Sequence, residues 1–299
     1  MSAPPSSAPP SSSLASSARV SLDRATALAL LAWYRASGVD TAESAEPSDM
    51  RDWPTHGFPV PRALAGGERR PPLPPGNEVA PTAKPPSSAG GSDEAVMAAT
   101  ALAEATTTLP ALADAIAGFD GCPLKAAARR TVVYDGVIGA RLLIIGEGPG
   151  RDEDRIGKPF VGKAGGLLDL MLHAIGYSRT EADGRGDVLI TNAVYWRPPG
   201  NRAPTGEEQA ICLPFLRRFI TLAAPEVIIL MGNVSTQALY PGAPGITRTR
   251  GSWREWPLSD GRQAAVLPMF HPAFLLRAPA QKRLAWADLR AVAARLAAS

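Results

Sequence analysis

Cysteine is scarce in this sequence, which holds only Cys122 and Cys212 among its 299 residues. Two cysteines cannot build the disulfide framework of a small secreted domain, and they favour a reducing compartment. Long apolar runs are also missing, since no stretch approaches the roughly 20 residues that span a bilayer. The N-terminus lacks the basic region and apolar core of a secretory signal. We therefore expect a cytoplasmic protein with no membrane anchor.

Strong charge of either sign is absent as well, because 31 basic residues nearly balance 28 acidic ones, for a net charge of +3. Such a mildly basic balance suits a nucleic-acid partner, but it suits an ordinary soluble protein equally well. The charge balance leaves the partner open.

The N-terminal third has the composition of a tail and a linker rather than of a folded core. Residues 1–20 are rich in Ser, Pro and Ala, which predicts a disordered tail. Residues 21–38 carry apolar side chains at helical spacing and predict a short helix. Residues 39–92 are rich in Pro and Gly and predict a linker, which is either a tether for a protein partner or only a tail.

Residues 93–299 predict the folded domain, with a helical lead-in at 93–118 that Pro110 interrupts. Four apolar segments then predict strands at 141–146, 188–192, 227–231 and 264–270. Between and after them, helical patterns occupy 164–176, 206–222 and 281–298. Alternating strands and helices predict a three-layer α/β/α sandwich with a mainly parallel sheet.

Three of these predicted strands end at a polar residue: Glu147, Asn192 and His271. The carboxyl ends of parallel strands face the ligand crevice, so neighbouring strands would bring the three side chains together. Glu147 stands in the turn Gly146–Gly150, whose glycines allow close approach of the backbone to a ligand. A glycine-rich turn alone would also suit a phosphate or dinucleotide site. The three strand ends together predict a single site of polar groups.

The residues around these positions resemble the motifs of type-4 uracil-DNA glycosylases, and the resemblance extends over residues 121–289. The matching stretches are Gly146–Gly150 with Gly157–Gly165, Thr191–Val194 with Arg197–Pro204, and His271–Arg277. The resemblance implies hydrolysis of the N-glycosidic bond of deoxyuridine in DNA, as in base-excision repair. It also implies that the base is flipped out of the DNA stack before it is cut.

The residue types suit that chemistry. Phe160 offers a stacking face to a flipped uracil, beside Gly148, and the amide of Asn192 can pair with both N3–H and O4 of uracil. His271 can donate to O2, where charge develops as the base leaves. Glu147 either positions the attacking water or stabilises the cationic sugar, and the resemblance implies a supporting role for Glu153.

Further residues are candidates for contacts with DNA. Leu275 and Leu276 follow His271 on a predicted protruding loop, where apolar side chains could wedge into the duplex. Any one basic side chain is more often a solvated surface charge than a phosphate contact. The candidates for phosphate contacts are Lys163, Arg197, Arg202, Arg248, Arg250 and Arg277.

The sequence departs from the family at its iron–sulfur site. The resemblance implies a [4Fe-4S] cluster on four cysteines, but Phe119 and Trp196 stand at two of those positions, and only Cys122 and Cys212 remain. Two thiolates do not meet the need of such a cluster for four ligands. We therefore expect no cofactor, with apolar packing in place of the cluster.

These observations predict a monomeric uracil-DNA glycosylase that acts on uracil-containing DNA. One alternative is a non-enzymatic DNA-binding or repair-accessory protein on the same fold. Another is a nucleotide-binding α/β enzyme, which would bind free nucleotide and show no salt-dependent binding to DNA. Another branch of this superfamily binds uracil-DNA covalently through a histidine on an inserted basic loop. The chain has no such insert after Asn192, so we do not expect it to belong to that branch.

Overall fold

The computed structural model of the chain describes residues 89–180 and 186–298. The predicted tail at 1–20, the helix at 21–38 and the linker up to residue 88 lie outside these ranges. Residues 89–92, predicted as linker, instead belong to the first described helix, α1 (Ala89–Ala105). The second helix, α2 (Leu109–Gly118), begins where Thr108 Oγ1 accepts a hydrogen bond from the Ala111 N–H. Pro110 thus lies in the first turn of α2, where it has no N–H to lose.

The described strands form one seven-stranded sheet with a mainly parallel centre. Its spatial order is β1-β4-β2-β5-β7-β6, and β3 pairs with β4 off this path. The central pairs β4–β2, β2–β5 and β5–β7 are parallel, whereas β1 and β6 are antiparallel edge strands. The strand bounds are β1 (Tyr134–Gly136), β2 (Leu142–Gly146), β3 (Tyr177–Ser178), β4 (Gly186–Asn192), β5 (Val227–Met231), β6 (Arg254–Pro257) and β7 (Gln263–Met269).

The helices predicted at 164–176, 206–222 and 281–298 are present close to those positions, and four further short α-helices within the described ranges were not predicted. The long helix α5 begins as its sequence indicated, because Glu208 N donates to Thr205 Oγ1 while Thr205 N donates to the Glu208 carboxylate at 2.7 Å. The other helix bounds are α3 (Arg151–Ile156), α4 (Lys163–His173), α5 (Gly206–Ala223), α6 (Asn233–Leu239), α7 (Ile246–Thr249), α8 (Pro272–Arg277) and α9 (Lys282–Ala297).

Side chains alternate between two cores, one on each face of the sheet. Leu143 and Ile145 of β2 pack towards α1, α2 and α5, whereas Leu142 and Ile144 pack towards α4 and α9. Central strands covered on both faces need continuous apolar sequence, which explains why β2 and β5 are wholly buried. The predicted three-layer α/β arrangement is confirmed. Within the described ranges, no helix has the length and apolar character needed to cross a bilayer.

Candidate functional site

The site lies at the carboxyl edge of the sheet, where β2, β4 and β7 end. The chain after β2 stays beside the end of β4, because Ala193 N donates to Gly146 O and Val194 N donates to Glu147 O at 3.0 and 3.2 Å. Strand β5 lies between β2 and β7, so His271 is not on a strand adjacent to Glu147. Gly232, which follows β5 with φ +96°, leaves room for the His271 side chain, since an added Cβ would lie 3.3 Å from His271 Cβ.

Glycines of the turn are required by the side chains packed against them. A Cβ at Gly146 would lie 2.3 Å from Asn192 Oδ1 and 2.6 Å from the Phe160 ring. At Gly148 it would lie 2.6 Å from a methyl carbon of Val194. Any side chain at these two positions would push apart the groups that line the cavity.

Phe160 lies at the back of the site in an unusual backbone conformation. Its φ is +52°, which is costly for a bulky residue. Its ring is 6% exposed and stacks on the His271 ring, with 5.4 Å between centroids and 23° between planes. The phenyl ring and the imidazole, which are both predicted to contact the base, are thus in contact with each other.

Arg179 holds this strained backbone in place. Its guanidinium donates to Pro159 O and Phe160 O at 3.0 Å each, and to Asp169 Oδ1 at 2.8 Å. Asp135 completes the pairing at 3.3 Å. The sequence analysis missed Arg179, because it follows a two-residue strand and belongs to no motif.

Glu153 organises the same loop from the other side. One carboxylate oxygen accepts from Val161 N and Gly162 N, both at 3.0 Å, and the other accepts from Gly150 N at 3.1 Å. Three backbone donors therefore occupy the carboxylate that was predicted to support the chemistry. Glu153 connects the glycine-rich turn to the segment that carries Phe160.

The converging side chains enclose a cavity of about 170 Å³, lined by Phe160, Asn192, His271, Glu153 and the turn glycines. Asn192 is 2% exposed, and its side-chain amide makes no hydrogen bond to any other described residue. A wider cavity of about 480 Å³ adjoins it and is lined by Glu147, Gly148, Arg202, His271 and Arg277. Gly148 and His271 line both, so the small cavity opens into the wider one.

His271 is placed as a neutral hydrogen-bond donor. It caps α8, where its Nδ1 accepts from Ala273 N at 3.1 Å. Burial, together with the positive charge of Arg277, lowers the pKa of His271 to about 4. A neutral ring that accepts through Nδ1 must carry its proton on Nε2, so Nε2–H is the donor left for a ligand.

Glu147 carries the acidic group of the site. Burial raises the pKa of its carboxyl above the ordinary glutamate value. Its carboxylate has no hydrogen-bond or ion-pair partner among the described residues. A partly buried carboxylate without a partner is available to a water molecule or to a developing cation.

The predicted wedge is corrected by the structure. Leu275 and Leu276 lie on helix α8 rather than on a protruding loop. Leu275 is fully buried in the core on the α4 face, whereas Leu276 is 42% exposed. The prediction for Leu275 was wrong, because the helical turn after His271 directs it inward, and only Leu276 faces solvent.

The predicted phosphate contacts divide into engaged and exposed groups. Arg250 pairs with buried Asp288 and lies over the Phe270 ring, so its guanidinium is already engaged. Arg202 is held by Glu208, with its Nη1 2.8 Å from a carboxylate oxygen, and Arg197 Nε donates to Asn201. The exposed candidates without such a contact among the described residues are Lys163, Arg248 and Arg277.

The positions of the family's cluster form part of a packed aromatic core. Phe119 is 5% exposed and meets Phe215 edge-on at 5.2 Å. Trp196 is fully buried, and its Nε1–H donates to Thr131 Oγ1 at 3.0 Å. Cys122 and Cys212 are free thiols, and the hydrogen bond between them, with burial, raises the pKa of Cys212 well above its usual range. Two thiols among aromatic rings do not fit a cluster that needs four thiolates.

Comparison with known proteins gives consistent results. The family model of the Uracil DNA glycosylase superfamily matches residues 133–290. The chain is 41% identical to the type-4 uracil-DNA glycosylase of Thermotoga maritima over 157 residues, which are 52% of this chain and 77% of that protein. It is 38% identical to the type-4 enzyme of Pyrobaculum aerophilum, over 58% of this chain and 86% of the relative. The type-4 enzyme of Saccharolobus solfataricus is 36% identical to the chain, over 62% of this chain and 84% of that protein.

Proposed function

The chain belongs to the uracil-DNA glycosylase superfamily, and we propose that its cavity of Phe160, Asn192 and His271 is where a flipped uracil is bound and released. It is a uracil-DNA glycosylase, a hydrolase that removes uracil from DNA in repair. The observation that supports this location most is the meeting of these three side chains around one small cavity, with Glu147 at its opening.

Asn192 selects the base. Its buried amide has an acceptor and two donors without partners among the described residues, which suits the N3–H and O4 of uracil. Cytosine presents the opposite pattern and would leave buried polar groups unpaired. Such mismatches reduce acceptance by a factor on the order of 10⁴.

His271 stabilises the leaving base. As uracil departs, negative charge develops on O2, and a fixed donor there lowers the barrier without reorganisation. The Nε2–H of a neutral imidazole is that donor, because Ala273 N already occupies Nδ1. The Phe160 ring keeps the imidazole plane aligned with the base that stacks beside it.

Glu147 acts on the sugar side of the bond. Its carboxylate faces the wider cavity, where the sugar of a flipped nucleotide would lie. There it either orients the attacking water or stabilises the oxocarbenium-like sugar by its charge. Glu153 is a positioning residue for this step, because its three backbone contacts fix the turn that carries Glu147.

The enzyme works without the iron–sulfur cluster of its relatives. The support is the donor set, since Phe119 and Trp196 fill two ligand positions with rings packed into the core. The aromatic packing then takes over the structural role of the cluster, and no step of the reaction passes through a metal.

Contacts with DNA come from the exposed groups at the mouth of the site. Leu276 is the apolar side chain that can enter the space left by the flipped base. Arg277, the next residue, lines the wider cavity, and the exposed side chains of Lys163 and Arg248 supply further positive charge. Arg202 and Arg197 contribute less, because their guanidinium groups are already engaged.

A single copy of the chain supplies every residue of this site, so the enzyme acts as a monomer. The few cysteines favour the cytoplasm as its location.

Residues 1–88 serve as a tether for a protein partner. Removing them should change uracil release from short oligonucleotides by less than about twofold, since the site lies in residues 147–277; an inactive truncation would contradict the tether.

The test of the function is release of uracil from a labelled oligonucleotide carrying one uracil, read by alkaline strand cleavage. Wild-type protein should cleave at the uracil, and Glu147→Ala should cleave far more slowly while retaining affinity for DNA. Binding without cleavage by folded wild-type protein would favour the accessory-protein alternative. Tight binding of a free nucleotide without salt-dependent DNA binding would favour the nucleotide-binding enzyme.

A further inference from the structure

A third cavity, of about 410 Å³, is lined in part by helix α3. We call it the arginine pocket. Four arginines and two aspartates line it: Arg129, Arg151, Arg155, Arg197, Asp152 and Asp154. The positive charges outnumber the negative ones, so the pocket favours an anion.

Three of the four arginines of this pocket are available to a ligand, whereas Arg197 Nε already donates to Asn201. Arg151 and Arg155 have side chains that are 80% and 63% exposed, and their nearest acidic atom, Asp152 Oδ1, is 4.0 Å away from each. The Arg129 guanidinium makes no hydrogen bond to any other described residue. By contrast, Arg202 and Arg250 are bound to Glu208 and Asp288.

The position of the pocket wall is fixed by a buried carboxylate. Asp154 is 3% exposed, and its Oδ1 accepts from Arg129 N at 2.7 Å and from Arg130 N at 3.3 Å. These contacts connect α3 to the segment that precedes β1. Because the backbone N–H groups satisfy Asp154, its charge opposes the arginines less than that of a free carboxylate would.

Residues that line the arginine pocket are direct neighbours in sequence of residues that line the uracil site. Gly150 lines the uracil cavity and the next residue, Arg151, lines the arginine pocket. In the same way Pro198 lines the wider cavity and Arg197 lines the arginine pocket. On α3, Glu153 lines the uracil cavity whereas Arg151 and Arg155 face the other side.

A flipped nucleotide remains joined to both neighbouring phosphates of its strand. Each strand carries one phosphate per about 3.4 Å of helix axis, so these phosphates must pass close to the rim of the cavity. Guanidinium groups bind phosphate oxygens in pairs, which suits them to this position better than single ammonium groups. The arginine pocket stands where the strand would leave the site.

We propose that the arginine pocket binds backbone phosphates of the DNA strand that carries the flipped uracil. The proposal rests on the proposed function of the neighbouring cavity. Contacts of this kind fix the position of the strand and carry no information on sequence. They therefore add affinity that is independent of uracil and that decreases with salt.

The test is the salt dependence of binding to an oligonucleotide without uracil. The variant Arg151→Gln/Arg155→Gln removes two phosphate contacts and should reduce the slope of log affinity against log salt by about 1.4 for a single strand, or about 1.8 for a duplex. The matched control, Arg217→Gln/Arg290→Gln, removes the same charge from exposed arginines outside the pocket and should leave the slope near the wild-type value.

The outcomes separate this proposal from the function on which it rests. An unchanged slope in the pocket variant, or an equal reduction in the control, would overturn the arginine pocket even if uracil is released normally. With uracil-containing DNA, the pocket variant should raise KM and leave kcat within about twofold, because α3 keeps Glu153 in place. Wild-type protein that never releases uracil would contradict the function, whatever the slopes.

Discussion

At the residue scale, the amide of Asn192 recognises the base, and the imidazole of His271 stabilises the same base as it leaves. The amide is buried and has hydrogen-bonding groups without partners among the described residues. Hydrogen bonds to a matching base offset the free energy of desolvating these groups, whereas a mismatched base leaves them unpaired. The imidazole is kept neutral by burial and directed by the Ala273 N–H. Recognition and departure of the base thus depend on separate atoms of the same cavity.

Replacing Asn192 with Ala removes two hydrogen bonds to uracil. At about 1–1.5 kcal/mol each, their loss should lower kcat/KM on uracil-containing DNA by roughly 30- to 150-fold. Affinity for DNA without uracil should not change, since Asn192 is buried away from phosphates. Steady-state kinetics on a one-uracil oligonucleotide measure the effect, and an unchanged kcat/KM would remove Asn192 from the site.

The lowered pKa of His271 predicts a pH dependence of stability. The unfolded chain takes up this proton near pH 6.5, but the folded protein takes it up only near pH 4. Stability from this group is present above pH 6.5 and is lost as pH falls towards 4, by up to about 3 kcal/mol. Urea unfolding of wild type and of His271→Asn should diverge in this window. Parallel curves would show that His271 titrates normally in the folded protein.

Arg179 is predicted to act through Phe160 as a positioning residue. Arg179→Lys cannot donate to two carbonyls and two carboxylates together, so the strained turn should relax and kcat/KM should decrease at least tenfold. Arg141→Lys is the matched control, because Arg141 donates to Glu226 and to Leu296 O at the opposite edge of the sheet.

Both variants should lose some thermal stability, since each replaces a guanidinium that joins separate segments with an ammonium group that can make fewer of the same hydrogen bonds. Only Arg179→Lys should show a lower kcat/KM for uracil release when the value is normalised to the amount of folded protein. Its affinity for uracil-free DNA should stay unchanged. Equal kinetic losses in the two variants would show that Arg179 matters for stability alone.

At the scale of elements, the strands that cross the centre of the sheet were predictable and its edges were not. Strands β2 and β5 are apolar throughout because helices cover both faces, and β5 was predicted with its observed bounds. The edge strands β1 and β6 are short and half-exposed, so their sequences carry no apolar run. Leu275 was misplaced because a six-residue helix turns inward where the sequence suggested a loop.

The aromatic packing at the cluster positions predicts a stability effect. Trp196→Ala empties a fully buried site and should cost about 3–5 kcal/mol of unfolding free energy. Trp253→Ala removes the same side chain from a position that is 40% exposed and should cost much less. Urea denaturation of both variants provides the comparison. Equal costs would mean that the Trp196 ring does not support this part of the fold.

At the scale of the whole molecule, the sheet determines which groups can meet. Glu147, Asn192 and His271 come from distant parts of the sequence, and their position at strand ends made their meeting predictable. The groups that fix their geometry were harder to find. Arg179 and Asp154 act through backbone carbonyls and N–H groups, which any sequence offers, so no residue pattern marks them.

We propose that this type-4 site releases uracil although two of the four cluster positions are aromatic. The most direct measurement is single-turnover uracil release by purified protein whose iron and sulfide contents are determined on the same sample. We expect full release by iron-free, folded protein and loss of release in Glu147→Ala. Release that is confined to an iron-containing fraction, with none from folded iron-free protein, would contradict it.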